Sequence, residues 1–335
     1  MKIFYPIIRT YSGADVHFEE LSRSIGRFGH EAVVRTYPHW LDFAPAFLQR
    51  TYARAPTADL VHTKVEYGPA FAQPGKPLLV KLAHLVFDPA YTPYRTLPQR
   101  IHHWLKLRPN IAWSLRQARC RVAISRAVRD SFCHYYGPLD ILVIYNGVDE
   151  NKFRPLQGAG PDDHRVRLFF AGNLSRRKGA DLLPRIMARL GDGYMLRYTS
   201  GLRTGTQLTG ATNLVSLGRL SEAALIQEYN RADIFLFPSR FEGFGLPVVE
   251  AMACGKPVVC THTSSLPELV DDGQGGFLCQ RDDVEDFVRK IHLLAENENL
   301  RLAMGQYNRA KVERCFTLEL SARQYAAAYE ECARS

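Results

Sequence analysis

Phe235–Val259 reads FLFPSRFEGFGLPVVEAMACGKPVV. Its first residues, with Ile234 before them, form an apolar run that Pro238 stops, which predicts a buried parallel strand. A loop with Gly243 and Gly245 follows, then a helix-period segment from about Leu246 to Ala253. Gly255-Lys256-Pro257 ends that helix, and Val258-Val259-Cys260 begins another strand. A strand, a glycine turn and a helix start together make an anion site, because the first helical N–H groups point outward and the dipole adds partial positive charge. Glu242 and Glu250 flank the turn with seven residues between them. A carboxylate beside phosphate repels it, so hydroxyls are the better partners. One Glu on a sugar and one on a ribose, with a diphosphate between, fits the layout.

The block Glu242–Val259, EGFGLPVVEAMACGKPVV, resembles the E-x7-E signature of the retaining, nucleotide-sugar-dependent glycosyltransferases of the group 1, family 4 type. The resemblance implies the GT-B fold: α/β, with two facing Rossmann-like domains built on parallel sheets and a C-terminal helix crossing back to the first. It implies an acceptor-binding domain at 1–155, a nucleotide-sugar-binding domain at 162–314, and a helix within 315–335 packing on the first domain.

The chain of 335 residues is long enough for two such domains, and 46% hydrophobic with 23% charged residues is the composition of a soluble globular protein. No run approaches the roughly 20 apolar residues that span a bilayer. The start, MKIFYPII, reads as a first strand and not a signal peptide. Seven scattered cysteines with no C-x-x-C pair predict reduced thiols and a cytoplasmic protein. Charge is uneven: residues 1–150 hold 19 Lys and Arg against 12 Asp and Glu, the remainder 24 against 22. Arg95–Arg129 holds nine cations and no carboxylate, with Trp104 and Trp113 among them. Such a surplus points to nucleic acid or to an anionic membrane surface. No nucleic-acid-binding module accompanies it, so no nucleic-acid partner is expected. The membrane reading places the protein on the inner face of the membrane as a peripheral protein, and its structural alternative puts the two Trp rings in the core.

The first half alternates short apolar runs with helical segments, which predicts a doubly wound parallel sheet. Strands are expected at Ile3–Ile8, Ala32–Val34, Asp59–Thr63, Leu78–Leu82, Arg121–Ile124 and Ile141–Ile144, with a helix from Asp15 to about Phe28. The glycine loop with Gly13 and the turn Gly29-His30-Glu31 resemble the opening of the family, although Ala14 stands where a second glycine is frequent. His84 follows the Leu78–Leu82 strand, where open sheets place ligands. The resemblance puts such a His close to the transferred sugar. Asp88–Pro98 is a proline-punctuated loop, read as a lid or an acceptor contact. Residues 99–118 read as helical apart from Pro109, and Pro155–Pro161 as the interdomain linker.

The second half opens with the strand Val166–Ala171 and the loop Gly172–Gly179, GNLSRRKG. The family has G-R-L-x-x-x-K-G here, an Arg and a Lys gripping the leaving diphosphate. Lys178 matches, but Asn173 stands in the Arg position, so Arg176 or Arg177 is expected to supply the charge. Met195–Thr199 and Asn213–Leu217 are strands, Gly218-Arg219-Leu220 resembles the base-binding turn, and Ser221 is expected to cap a helix to Arg231. Two helices to about Arg314 and a last one over Thr317–Glu331 complete the chain.

The predicted function is a metal-independent retaining hexosyltransferase of the kind that builds cell-envelope polysaccharide. It would move a hexose from a UDP- or GDP-sugar to a hydroxyl of a glycan or lipid-linked acceptor, with the donor as co-substrate and no cofactor. Lys178, Arg176, Glu242 and His84 are the expected catalytic residues. Gly13, Arg177, Leu220, Gly243, Phe244, Gly245, Leu246 and Glu250 are the expected substrate contacts. No metal is expected, because no D-x-D falls where a divalent cation would sit: Asp162-Asp163 lies in the linker, Asp271-Asp272 and Asp282-Asp283 on loops. A sugar-nucleotide epimerase-like enzyme and a non-catalytic subunit of the same fold are the alternatives, Asn173 favouring the last.

Overall fold

The apolar runs quoted above become strands because each must bury both faces, and helices between them supply the cover. The computed structural model describes residues 1–9, 13–42, 57–156, 164–200 and 207–334. The loop residues 10–12 and the linker residues 157–161 lie outside them. The chain divides into two compact units, Met1–Gly147 with Leu318–Ser335, and Val148–Thr317.

Unit 1 holds β1 (Lys2–Ile8), α1 (Gly13–Ser24), β2 (Glu31–Tyr37), β3 (Leu60–Lys64), β4 (Leu78–Leu82), α2 (Leu97–His102), α3 (Arg108–Gln117), β5 (Cys120–Ala123), α4 (Arg126–Tyr136) and β6 (Leu142–Val143). Its sheet has the order β2-β1-β3-β4-β5-β6, with every pair parallel. Helix α1 starts at Gly13 rather than Asp15, and its last turn tightens into a 3-10 segment over Ile25–Phe28. A five-residue π turn, His103–Leu107, joins α2 to α3 and lets the helix run past Pro109. The Asp88–Pro98 loop is pinned at its start, where Asp88 accepts from Ser131 Oγ at 2.6 Å.

Unit 2 holds β7 (Val166–Phe170), α5 (Leu183–Leu190), β8 (Tyr194–Tyr198), β9 (Leu214–Ser216), α6 (Glu222–Arg231), β10 (Ile234–Phe237), α7 (Leu246–Ala253), β11 (Val258–Thr261), β12 (Gly276–Cys279), α8 (Val284–Ala295) and α9 (Glu298–Cys315). Its parallel sheet runs β12-β11-β10-β7-β8-β9. Strand order reverses between β7 and β10, and ligands of open sheets bind at that reversal, outside the carboxyl ends of the strands.

The final helix, α10 (Leu318–Arg334), belongs to unit 1. Its Tyr325, Tyr329, Ala322 and Cys332 share one buried cluster with Ile3, Tyr5, Ile7, Phe18, Leu79 and Val122. The first crossing between the units falls after Gly147, earlier than the expected boundary at residue 155. Residues 148–156 are bound into unit 2. Arg309 donates to the carbonyls of Glu150 and Phe153, and Leu156 N–H donates to Asn230. The second crossing lies alongside the first, with Val148 N–H donating to Phe316 O at 3.0 Å. All seven cysteines are free thiols. Among the described residues, no helix is long and apolar enough to cross a membrane.

Candidate active site

The loops that leave β7 and β10 meet where the strand order of unit 2 reverses. After β7, Ser175 caps a short 3-10 turn, Arg176–Lys178, and Gly179 ends it in the left-handed region at φ +71°. A Cβ on Gly179 would collide with the Pro238 carbonyl, so only glycine lets this loop lie against the one that follows β10. The turn thereby sets Lys178 against Glu242.

Lys178 Nζ donates to Glu242 Oε1 at 2.5 Å, Ser239 Oγ donates to the same oxygen at 2.6 Å, and Arg177 Nη1 stands 3.8 Å from it. All three contacts go to Oε1. Both side chains of the Lys178–Glu242 pair are nearly buried. Burial pushes the Glu242 carboxyl upward, but the charges of Lys178 and Arg177 and the two hydrogen bonds outweigh it and hold the group below the usual carboxylate range. Burial works against the Lys178 ammonium, which the Glu242 carboxylate and the face of Phe237, 4.9 Å away, help to keep.

Beyond Glu242, Gly243 and the buried Phe244 lead to Gly245, which stands at φ +107° immediately before α7. A Cβ there would crowd Leu266 and Leu269 at 3.0 and 3.1 Å. Ser265 Oγ donates to the Phe244 carbonyl at 2.7 Å and fixes the turn from below. Leu246 is the first residue of α7, so the amino end of that helix opens on the same loop as Glu242. One helical turn further on, Glu250 Oε2 accepts from Tyr229 Oη of α6 at 2.6 Å. Tyr229 is buried, and burial together with the Glu250 carboxylate raises its phenol well above the ordinary value.

The structure therefore gathers Lys178, Arg177, Glu242, Gly243, Phe244, Gly245 and Leu246 on two adjoining loops, with Glu250 on the helix behind them. Of the two arginines, Arg177 is the one that reaches Glu242, while the Arg176 side chain is exposed. Leu220 is half-buried in the β9–α6 turn, where Ser221 caps α6 by accepting from Ala224 N–H. Gly13 and His84 belong to unit 1, at the carboxyl ends of β1 and β4. The His84 ring lies 5.7 Å from that of Tyr91. Ser239 and Tyr229, each bonded to one of the two glutamates, were not among the expected residues. Ser239 sits three residues before Glu242, a spacing that allows its contact, whereas nothing in the sequence pairs Tyr229 with Glu250.

Two family models match the chain: Glycosyltransferase Family 4 over residues 35–152 and Glycosyl transferases group 1 over residues 202–311. A D-inositol 3-phosphate glycosyltransferase of Corynebacterium jeikeium is 31% identical over 217 residues, 57% of this chain and 52% of that protein. The chain spans about half the length of the curated relatives it matches. A sucrose-phosphate synthase from Thermosynechococcus elongatus superposes with a TM-score of 0.83 at 16% identity, covering 99% of both chains. Anabaena HepE in complex with UDP-glucose gives 0.80 at 20% identity, covering 99% of this chain and 100% of that one. The two parallel six-stranded units with this strand order have the GT-B fold, and the family matches, one in each half, support a group 1 glycosyltransferase.

Proposed function

We propose that the chain transfers a hexose from a nucleoside-diphosphate sugar to an acceptor hydroxyl with retention of configuration. The observation that carries this reading is the Lys178–Glu242 pair at the strand-order reversal of unit 2, in front of the helix that bears Glu250. Glu250 takes the ribose hydroxyls. Lys178, Arg177 and the amino end of α7 take the diphosphate, whose negative charge grows as it leaves. Glu242 keeps Lys178 and Ser239 on Oε1 and offers Oε2 to the sugar hydroxyls. The bond from the anomeric carbon to the diphosphate oxygen breaks, and the acceptor oxygen bonds to that carbon on the same face. The acceptor proton passes to the leaving phosphate. No residue is assigned as a covalent nucleophile, and no metal ion takes part. His84 of unit 1 is assigned to the sugar, and unit 1 to the acceptor, on the family resemblance. HepE is solved with UDP-glucose, which supports UDP as the donor nucleotide.

A lipid-linked acceptor at an anionic membrane surface is the acceptor class we infer. Leu97, Ile101, Trp104 and Leu105 are 68, 52, 61 and 63% exposed, and their spacing puts them on one helical face. Arg100, Lys106 and Arg108 lie in the same segment. An apolar stripe edged by cations suits the headgroup level of an anionic bilayer. Trp113 is partly exposed as well, so neither ring is a core side chain.

Thermal-shift screening against UDP, GDP, ADP and their glucose conjugates tests the donor reading, because a ligand raises apparent stability by mass action. A shift with one diphosphate and its sugar is expected. No shift with any of them would remove the proposal.

A further inference from the structure

Arg240 is nearly buried, yet the donors it uses all bind protein groups. Its Nη1 and Nη2 donate to Asp181 at 2.5 and 2.8 Å, and its Nε donates to Asp282 Oδ1 at 2.5 Å. Nη1 also donates to the Arg176 carbonyl. The Arg240 backbone N–H donates to the Arg177 carbonyl at 2.8 Å, and its own carbonyl accepts from Thr263 Oγ1 at 3.3 Å. Asp181 follows β7, Arg240 follows β10, Thr263 follows β11 and Asp282 follows β12. One guanidinium and its backbone thus join the carboxyl ends of four strands that are neighbours in the sheet order β12-β11-β10-β7. Asp282 stands at φ +67°, a conformation that costs a non-glycine residue energy and that its bond to Arg240 helps to hold.

We propose that Arg240 is a positioning residue for the diphosphate grip: it fixes the Arg176–Lys178 turn from two carbonyls so that Lys178 meets the phosphate in one orientation. The inference rests on the donor reading above and names a residue that reading does not use. A planar fork suits this task and a lysine does not, because Arg240 must reach a carboxylate, a second carboxylate and a carbonyl in fixed directions. With those donors engaged, Arg240 acts on the substrate through Lys178 and not by direct contact.

The test uses the whole chain with Arg240→Lys, Asp282→Gly, Lys178→Ala and the Arg240→Lys/Lys178→Ala double variant. Nucleoside diphosphate and the matching monophosphate are titrated by calorimetry, with UDP or whichever diphosphate shifts the melting temperature of the wild type. Arg240→Lys is expected to lose roughly tenfold or more of the preference for diphosphate over monophosphate, on the scale of misplaced electrostatic contacts. Monophosphate affinity should stay unchanged, since Glu250 is untouched. Asp282→Gly should fall in the same direction by less, and the double variant should lose no more than Lys178→Ala alone. Losses that multiply in the double variant, or a preference that Arg240→Lys leaves intact, overturn the proposal. Hydrogen exchange at the Lys178 and Gly179 amides without any nucleotide separates the two readings. Faster exchange in Arg240→Lys supports the positioning role even if the donor reading fails, and unchanged exchange overturns it even if nucleotide binds.

Discussion

Lys81 Nζ lies 2.8 Å from His17 Nδ1 in the core of unit 1, where burial disfavours a charge on either group. The Gly147 N–H can only donate, and it donates to His17 Nε2 at 3.3 Å. A neutral imidazole that accepts at Nε2 carries its proton on Nδ1, so Lys81 must accept through an amine lone pair. Burial pulls the Lys81 amine far below its ordinary value, and the charge of nearby Lys64 adds to the effect. His62, also fully buried, bonds Tyr329 Oη through Nδ1 at 2.7 Å, and burial holds it neutral.

These three groups should therefore contribute more stability to unit 1 as pH rises. Unfolded histidine takes a proton below about pH 6.5, whereas the folded His17 and His62 do not, so stability is present above that pH and is lost as pH falls below it. Unfolded lysine stays protonated up to about pH 10.4, so Lys81 adds a further rise as pH climbs from its lowered folded value toward that one. Lys81→Met removes the alkaline part of the rise. Urea unfolding of both proteins from pH 5 to 10 measures this, and equal slopes above pH 7 would count against a neutral Lys81.

Glu250→Gln should weaken binding of donor and of nucleoside diphosphate alike, because the ribose is common to both, and Tyr229→Phe should do so more mildly. Glu242→Gln should lower turnover while leaving diphosphate affinity equal or tighter, since Lys178 is released from its carboxylate. Titration calorimetry with the diphosphate decides, and equal losses in both glutamate variants would end this division of roles.

Lys178→Ala should lower turnover by a factor on the order of 100 or more, the scale for losing one preorganised charge stabiliser. Arg177→Ala should cause a second large loss and Arg176→Ala a small one, following which guanidinium stands beside Glu242. Initial rates of nucleotide release from the donor give the ranking; a larger loss for Arg176 reverses the assignment. Activity should also be unchanged by a chelator, and abolition with rescue by magnesium would contradict the metal-independent reading.

The protein should sediment with vesicles of anionic lipid, little with neutral vesicles, and be released by salt as charges are screened. Replacing Arg100, Lys106 and Arg108 by Ser should abolish sedimentation, since each cation at such a surface contributes about 1 kcal/mol. Trp104→Ser with Leu105→Ser should weaken it without changing its salt dependence. All variants should keep nucleotide affinity. Equal binding to both vesicle types, or none, returns the acceptor to the soluble class.

Unit 2 was legible because its signals are local. The apolar run before Pro238, the glycines that only a close approach explains and the Ser221 cap all act within a few residues, and most of its strands fall within a residue or so of their expected places. What the sequence hid depends on residues far apart in the chain. The Arg240 network joins four loops that only the sheet order brings together. The first crossing was expected too late because Pro155–Pro161 has linker composition, while the contacts that tie residues 148–156 to unit 2 come from Arg309 and Asn230. A lysine inside the otherwise apolar strand LLVKL was a visible anomaly, and it marks the buried cluster that strand reading alone passes over.

Because α10 supplies Tyr325 and Tyr329 to a core otherwise built from residues 3–144, the amino-terminal unit cannot finish folding when its own strands leave the ribosome. Val148–Thr317 is continuous and can close first, reversing the usual amino-to-carboxyl order of vectorial synthesis. Until Leu318–Arg334 arrives, His62 and Tyr5 lack the Tyr329 hydroxyl. A chain stopped before Leu318 should show protease-resistant 148–317 beside a digestible 1–147. Equal resistance of 1–147 with and without the helix would mean that the amino-terminal core closes on its own.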